Sequence, residues 1–246
     1  MPDNMGLMDW PIFIKIIKEC SVNQCRSVKL NWRGEPLIHP LLPEMIKVAK
    51  ALGILEVQIN TNGQLLTENK INSLCDSGLD RIIFSADGIT KKTYESIRLG
   101  ASWDRLLANI VSLKRRKIRP IIRIQTCAMP QNQGEIKDFR GFWGELADEV
   151  YIHQSFDPLQ RKNPSLKRKK KKNCPQLWQR LVVAWNGDIH PCCVDWDSKG
   201  ILGNIKETTL QDTWHCFKER YLRFAHKNKI ASELEPCKNC DNFLVL

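Results

Sequence analysis

Short runs rich in Val and Ile alternate with segments of helical period from residue 9 to residue 153, and this alternation restricts the chain more than any other feature. Residues 9–20 predict a helix with Trp10, Phe13, Ile14 and Ile17 on one face, and residues 28–32 a short strand. A helix over 40–52 is ended by Gly53, and a strand over 55–60 follows. Thr67 is placed to cap a helix that runs to about Ser77 before Gly78 stops it, and 81–85 is a third strand. Helices over 90–98 and 102–117, a strand over 121–127, a helix over 134–146 and a strand over 150–153 complete the series. Five strands joined by helix-length connections predict parallel βαβ units, because a crossover helix returns the chain to its starting direction. The expected fold class is α/β: an open sheet or a partial parallel (β/α) barrel.

The pattern breaks after residue 157. Residues 158–173 form a proline-punctuated basic linker, and 174–246 is short, turn-rich and holds six of the ten cysteines. Three regions are therefore expected: a barrel part at 1–157, the linker at 158–173 and a small cysteine-rich module at 174–246. The net charge of +11 invites a nucleic-acid reading. Eight of those charges, however, come from Arg161, Lys162, Lys167, Arg168, Lys169, Lys170, Lys171 and Lys172, and setting them aside lowers +11 to +3. The basicity is local, and with no interleaved aromatic residues it reads as a solvated linker. No apolar run approaches the roughly 20 residues of a bilayer-spanning helix, and the first twenty residues carry no export signal, so a cytoplasmic location is expected. Thiols kept reduced there more often bind metal or do chemistry than form disulfides.

Within the module, Cys237-Lys-Asn-Cys240 is a CxxC pair that can reach one metal centre from a single turn. Cys192 lies in GDIHPC, where Gly187 predicts a hairpin turn. Cys192 and Cys193 point to opposite faces if extended, so one of the two is a ligand. With Cys174 these residues make a set of four: Cys174, Cys192, Cys237 and Cys240. Cys216, between His215 and Phe217 in an expected helix, reads as a packed thiol. Zinc accepts four thiolates tetrahedrally, but zinc ribbons usually bring two close pairs. Two lone cysteines and one pair gathered from across a module favour an iron-sulfur cluster, and unligated packed thiols are a third reading.

In the first part, Arg33-Gly34-Glu35-Pro36-Leu37 follows one strand, Asn60-Thr61-Asn62-Gly63 the next, and Ser85-Ala86-Asp87-Gly88 the one beyond. Each could be an ordinary turn, but three polar motifs at successive strand ends describe the ligand-binding face of a parallel barrel. Together with the cysteines they resemble the radical S-adenosylmethionine enzymes that carry a C-terminal SPASM domain. The first motif is similar to the family's GGEP, which binds the amino group of the methionine moiety. A glycine lets backbone approach a ligand and a carboxylate pairs with an ammonium. The resemblance implies cofactor contacts at Gly34, Glu35, Pro36, Asn62, Ser85 and Asp87, with Ser85 and Asp87 toward the ribose and Gln125 a weaker candidate.

In the second part, Cys174, twelve residues, Gly187, four residues and Cys192 resemble the SPASM element C-x(9-15)-G-x4-C. GNI at residues 203–205, the tryptophan of LQDTW and the Cys237–Cys240 pair extend the likeness. The resemblance implies one auxiliary [4Fe-4S] cluster, S-adenosyl-L-methionine as cofactor, a peptide or carbohydrate substrate and an electron donor such as a flavodoxin or ferredoxin. It implies cleavage of the cofactor to a 5′-deoxyadenosyl radical that abstracts a substrate hydrogen. The family's CxxxCxxC is not present, and Cys20 and Cys25 have the wrong spacing to supply it. A barrel without its first strand and cluster loop, through truncation or degeneration, and inactive by itself, is the expectation. The alternative is a non-catalytic four-cysteine protein that holds iron-sulfur or zinc. Cys127 and His153 read as structural residues near strand ends, and His39, before Pro40, as a helix-entry residue.

Overall fold

The computed structural model describes residues 6–153, 174–238 and 240. Its contacts divide the chain into two compact units, residues 24–155 and residues 1–23 together with 156–246. The basic tract at 161–172 lies outside the described residues. Helix α1 (Trp10–Val22) opens the described chain and belongs to the second of these units.

The unit of residues 24–155 is a five-stranded parallel sheet in the order β1 (Ser27–Lys29), β2 (Glu56–Thr61), β3 (Arg81–Ser85), β4 (Ile121–Cys127) and β5 (Glu149–His153). Helix α2 (Leu42–Ala51) joins β1 to β2, and α3 (Glu68–Asp76) joins β2 to β3. Helices α4 (Lys91–Ile97) and α5 (Trp103–Lys114) lead to β4, and α6 (Phe139–Gly144) to β5. Sequential order with every pair parallel is the α/β partial barrel that the alternation predicts. Thr67, Thr90 and Ser102 accept the third backbone N–H of α3, α4 and α5, which fixes where each helix begins.

Three elements differ from the sequence expectation, each for a local reason. The strand at 28–32 ends at Lys29, because the Asn31 side chain takes over as acceptor for the Asn60 N–H at 2.7 Å. The helix expected at 40–52 is present as α2, but a 3-10 turn at Pro36–Ile38, which the sequence reading did not predict, precedes it. The helix at 134–146 shortens to α6 after a 3-10 turn at Gln133–Glu135. There Glu135 clamps the start of α4, accepting from the Ile89 N–H and the Thr90 and Thr93 hydroxyls, each at 2.6 Å. Burial pushes its carboxyl up, yet these donors hold it below the ordinary range.

The two faces of the sheet are chemically opposite. Val57, Ile59, Ile82, Phe84, Ile122 and Ile124 are buried, whereas the alternating residues Gln58, Asn60, Arg81, Ser85, Arg123 and Gln125 are not, Ile83 being the buried exception on that face. On the latter face Arg81 pairs with Glu56 at 2.8 Å and with Glu149, and Arg123 pairs with Glu149 at 2.6 Å. A barrel strand whose inner residues are polar leaves that face to water or to a ligand.

In the other unit, β6 (Val182–Val183), β7 (Asp188–His190) and β8 (Gly203–Asn204) form a small antiparallel sheet. Gly187 turns β6 into β7 at φ +97°, where a Cβ would meet the Asn204 Oδ1 at 2.8 Å. This is the hairpin expected around GDIHPC. Helices α7 (Leu210–Trp214) and α8 (Phe217–Lys227) follow, and Cys216 is not inside a helix but caps α8, its sulfur accepting the Glu219 N–H at 3.4 Å. Ile12 of α1 packs with Ile189 and Ile205, and the Glu19 carboxylate accepts the Leu210 N–H at 2.6 Å. The helix that the sequence reading grouped with the barrel part thus clusters by contact with the cysteine-bearing segment. Among the described residues no helix is long and apolar enough to cross a membrane.

Glu219 is fully buried on α8, and neither carboxylate oxygen has a hydrogen-bond partner among the described residues. Arg223 lies 3.2 Å away without hydrogen-bond geometry. Burial pushes the carboxyl up from 4.5 to about 7 against the pull of Arg223. The native state therefore binds more protons than the unfolded chain between these values, and stability falls as pH rises through that window. Urea unfolding between pH 4.5 and 8 should show a loss on the order of 2–3 kcal/mol. Glu219→Gln should flatten that dependence; an unchanged slope in the variant would assign the effect to another group.

Candidate functional site

Four cysteines from three separate segments line one cavity in the second unit. Cys174 precedes a 3-10 turn (Pro175–Trp178), Cys192 follows β7, and Cys237 and Cys240 lie beyond α8. All four face the same cavity, whose walls are completed by Leu177, Pro191, Val194, Pro236 and His226. Cys174, Cys192 and Cys237 are buried, and Cys240 is partly so. Cys193 is not among the lining residues, and its thiol donates to the Gln176 Oε1 at 3.2 Å. Of the adjacent pair it is Cys192 that reaches the cavity.

The surroundings treat these sulfurs unevenly. Burial pushes the Cys192 thiol far up; the Val194 N–H opposes this, while Cys193, Cys237 and Cys240 add to it. Burial likewise raises Cys174, opposed by the N–H groups of Gln176 and Leu177. Backbone N–H groups aimed at sulfur favour thiolate, but they do not outweigh the apolar walls. Only added positive charge at the cavity would stabilise several thiolates there. The donors are soft, thiols and one imidazole without a carboxylate in the lining, which suits iron-sulfur, zinc or copper(I) and not a hard ion. Among the described residues no three His, Cys, Asp or Glu side chains converge to hold a single ion. Sulfurs spread around a cavity fit a cluster, whose irons lie apart, better than one ion with every sulfur at roughly 2.3 Å.

The loop carrying Cys192 is held by a pair that the sequence reading did not single out. His190 Nδ1 and Asp195 Oδ2 lie 2.8 Å apart, both side chains 1% exposed. Asp195 also accepts the Lys199 and Gly200 N–H groups at 2.9 and 3.0 Å, closing the turn beyond Cys193. The HPCC sequence places His190 two residues before Cys192, so it could have been flagged, but nothing local marked Asp195 as its partner.

In the unit of residues 24–155 the three polar motifs lie at the carboxyl ends of β1, β2 and β3 and of the loops that leave them. Gly34 takes φ +79°, a conformation open to glycine, and Pro36 starts the 3-10 turn. The Glu35 carboxylate joins the first two motifs. Its Oε1 accepts the Leu37 N–H at 3.1 Å and the Thr61 hydroxyl at 2.7 Å, and its Oε2 accepts the Asn62 N–H at 2.8 Å. A carboxylate offers about four acceptor positions, so one remains among the described residues. The Asn62 side chain turns back to accept the Gln64 N–H at 2.9 Å.

Ser85 ends β3, paired in register with Gln125 of β4. Asp87 lies in the loop after β3 and is buried. It pairs with Arg98 at 2.7 Å and accepts the Thr126 hydroxyl and the Cys127 N–H at 3.0 and 3.3 Å. Asn132 donates to the Asp87 carbonyl at 3.2 Å, so this residue ties the β3 loop to the end of β4. Gln125 Oε1 lies 3.3 Å from His153 Nε2, and burial, then Arg123 and Lys29, push the His153 imidazole down. The Cys127 thiol is pushed up by burial and by Asp87. His39 accepts the Leu41 N–H at 3.2 Å ahead of α2. Arg81, Arg123, Glu149 and Tyr151, which sequence reasoning passed over, share the polar face, and the alternation within each strand was the signal that could have found them.

Two family models match the chain. One, described as the radical SAM superfamily, covers residues 8–142, and the other, described as an iron-sulfur cluster-binding domain (SPASM), covers residues 174–241. The tungsten-containing aldehyde ferredoxin oxidoreductase cofactor-modifying protein of Pyrococcus furiosus is 21% identical, over 96% of this chain and 80% of that protein. The S-adenosyl-L-methionine-dependent 2-deoxy-scyllo-inosamine dehydrogenase of Niallia circulans is 29% identical, over 98% and 83%. Among solved structures, anSMEcpe with bound AdoMet superposes with a TM-score of 0.73 at 15% identity, covering 98% of this chain and 80% of that one. BtrN in complex with AdoMet and 2-DOIA gives 0.62 at 20% identity, covering 98% and 82%. At these identities the likeness establishes the fold, a radical SAM-type partial barrel followed by a SPASM region. The chain belongs to the radical SAM superfamily and carries a SPASM iron-sulfur cluster-binding domain.

Proposed function

We propose that this chain binds one [4Fe-4S] cluster through Cys174, Cys192, Cys237 and Cys240, and S-adenosyl-L-methionine at the strand ends carrying Gly34, Glu35, Pro36, Asn62 and Ser85. The observation that carries the reading is that four thiols from three segments line one buried cavity. A bound cluster supplies positive charge to the thiolates and a one-electron couple. The chain's own residues do the rest: backbone N–H groups hold the Cys174 and Cys192 sulfurs, and Glu35 fixes two strand ends and keeps one acceptor position for an ammonium. The domain limits are proposed from the sequence as 1–157, 158–173 and 174–246, with α1 clustering by contact with the cysteine-bearing segment. The protein works in the cytoplasm, with a flavodoxin or ferredoxin as electron donor. A structural neighbour has been crystallised with a peptide and another with 2-DOIA, which supports a peptide or carbohydrate substrate.

Because none of its ten cysteines forms a CxxxCxxC, the polypeptide is proposed to bind the cofactor without cleaving it. A second reading, a non-catalytic metal-binding protein, draws support from Asp87. Its ion pair with Arg98 and its bonds to Thr126 and Cys127 occupy a carboxylate that the family resemblance sets toward the ribose.

Anaerobic reconstitution with iron and sulfide should give about four irons per chain. Alanine at Cys174, Cys192, Cys237 or Cys240 should cut iron content by at least half, whereas Cys193→Ala should keep it. A full iron count in the quadruple variant, or one zinc in place of iron under the same conditions, would overturn the cluster assignment.

Replacing Glu35 by Gln sets an amide donor among groups that themselves donate. Glu35→Gln should weaken S-adenosyl-L-methionine binding more than tenfold in equilibrium dialysis and cost about 1–3 kcal/mol in urea unfolding. Unchanged affinity would remove Glu35 from the cofactor site. Robust cofactor cleavage by the reconstituted wild type would refute the proposal that the chain binds without cleaving.

A further inference from the structure

We infer that His226 is a positioning residue of the cluster cavity that donates a hydrogen bond from Nε2 to the Cys237 sulfur and raises the reduction potential of the cluster held there. The inference rests on the cluster reading above and adds to it a residue outside the four ligands. His226 lies in the last turn of α8, 3% exposed, on the wall of the cavity. The Cys174 backbone N–H lies 3.3 Å from its Nδ1, and its Nε2 lies 3.4 Å from the Cys237 sulfur.

These two contacts fix the tautomer. A backbone N–H only donates, so Nδ1 must present its lone pair, and the proton of the neutral ring is then on Nε2. A doubly protonated ring would oppose two N–H groups and bury a charge in an apolar wall. The Nε2–H is thus a donor, and the atom before it is sulfur. A metal-bound thiolate accepts more strongly than a thiol, so loading the cavity strengthens this bond. Adding an electron puts more negative charge on the cluster and its sulfurs, so the donor stabilises the reduced state more than the oxidised one. The same ring links Cys174 to Cys237, one from each side of α8 in sequence, and sets the spacing of two ligands.

The test compares reconstituted wild type with His226→Phe and His226→Gln, counting iron and titrating each cluster with dithionite under spectroelectrochemical control. The Phe variant, which keeps the ring volume and loses the donor, is expected to hold about four irons and to show a lower midpoint potential. The Gln variant, which keeps an N–H donor, should recover part of the difference. An unchanged or higher potential in a fully loaded Phe variant would refute the role of His226 while leaving the cluster reading intact. Absence of iron in the wild type would instead refute the cluster reading. If the Phe variant fails to load, ¹⁵N spectra of the histidine-labelled, reconstituted wild type decide. A proton on Nε2 with a bare Nδ1 supports the inference, and the opposite tautomer or a cationic ring overturns it.

Discussion

A thiolate in an apolar wall is unstable unless positive charge faces it, and the second unit of this protein brings four cysteines to such a wall. Three buried sulfurs in a unit with small clusters of apolar side chains do not make a conventional core. The α8 cluster contains Cys174 and Cys237 themselves alongside Leu177, Leu222, Ala225 and Ala231. Ligand loops and packing are therefore the same residues, so a group bound among the sulfurs would also contribute to folding. The hairpin around Gly187, the His190–Asp195 pair and the Cys216 cap of α8 all serve to deliver those sulfurs.

The other unit solves a different problem, how to hold polar groups at the open end of a parallel sheet. Strand ends leave N–H groups without ladder partners. Glu35 accepts three donors from its own turn and from the end of β2, and Asn31 accepts a fourth from β2. Asp87 accepts the Cys127 N–H at the end of β4, and the Asn132 amide donates to the Asp87 and Cys127 carbonyls, which ties the β3 loop to β4. The motifs that resemble cofactor-binding sequences are thus also the fasteners of the rim. One carboxylate can serve both purposes only if an acceptor position is left over, as it is at Glu35.

Much of this was legible in the chain before any coordinates. Runs rich in Val and Ile gave the five strands, Thr67 stood where a helix cap belongs, and parallel pairing followed from connection lengths. The cysteines were legible because CxxC and the Gly187 hairpin constrain geometry locally. Long-range pairings left no local trace. The Ile12 contact with Ile189 and Ile205 joins α1 to residues far along the chain, and nothing in the first twenty residues signals it. Asp87 carried a loop-forming signature with glycine, which does not reveal that Arg98 would neutralise it. His226, followed by Lys227, resembled the basic end of an ordinary helix, and only the fold brings Cys174 and Cys237 to its two nitrogens.

One rule separates the two sites. Of the groups at the two sites, one whose partners lie within the chain supports structure, and a thiol that burial holds protonated needs added positive charge before it can ligate. Asp87 meets the first description, with Arg98 on one oxygen and Thr126 and Cys127 on the other. Cys192 meets the second, since a single backbone donor stands against burial and three neighbouring thiols. Glu35 stands between them, three bonds made and one position open. The cysteine cavity therefore asks more of a bound group than the strand-end rim does.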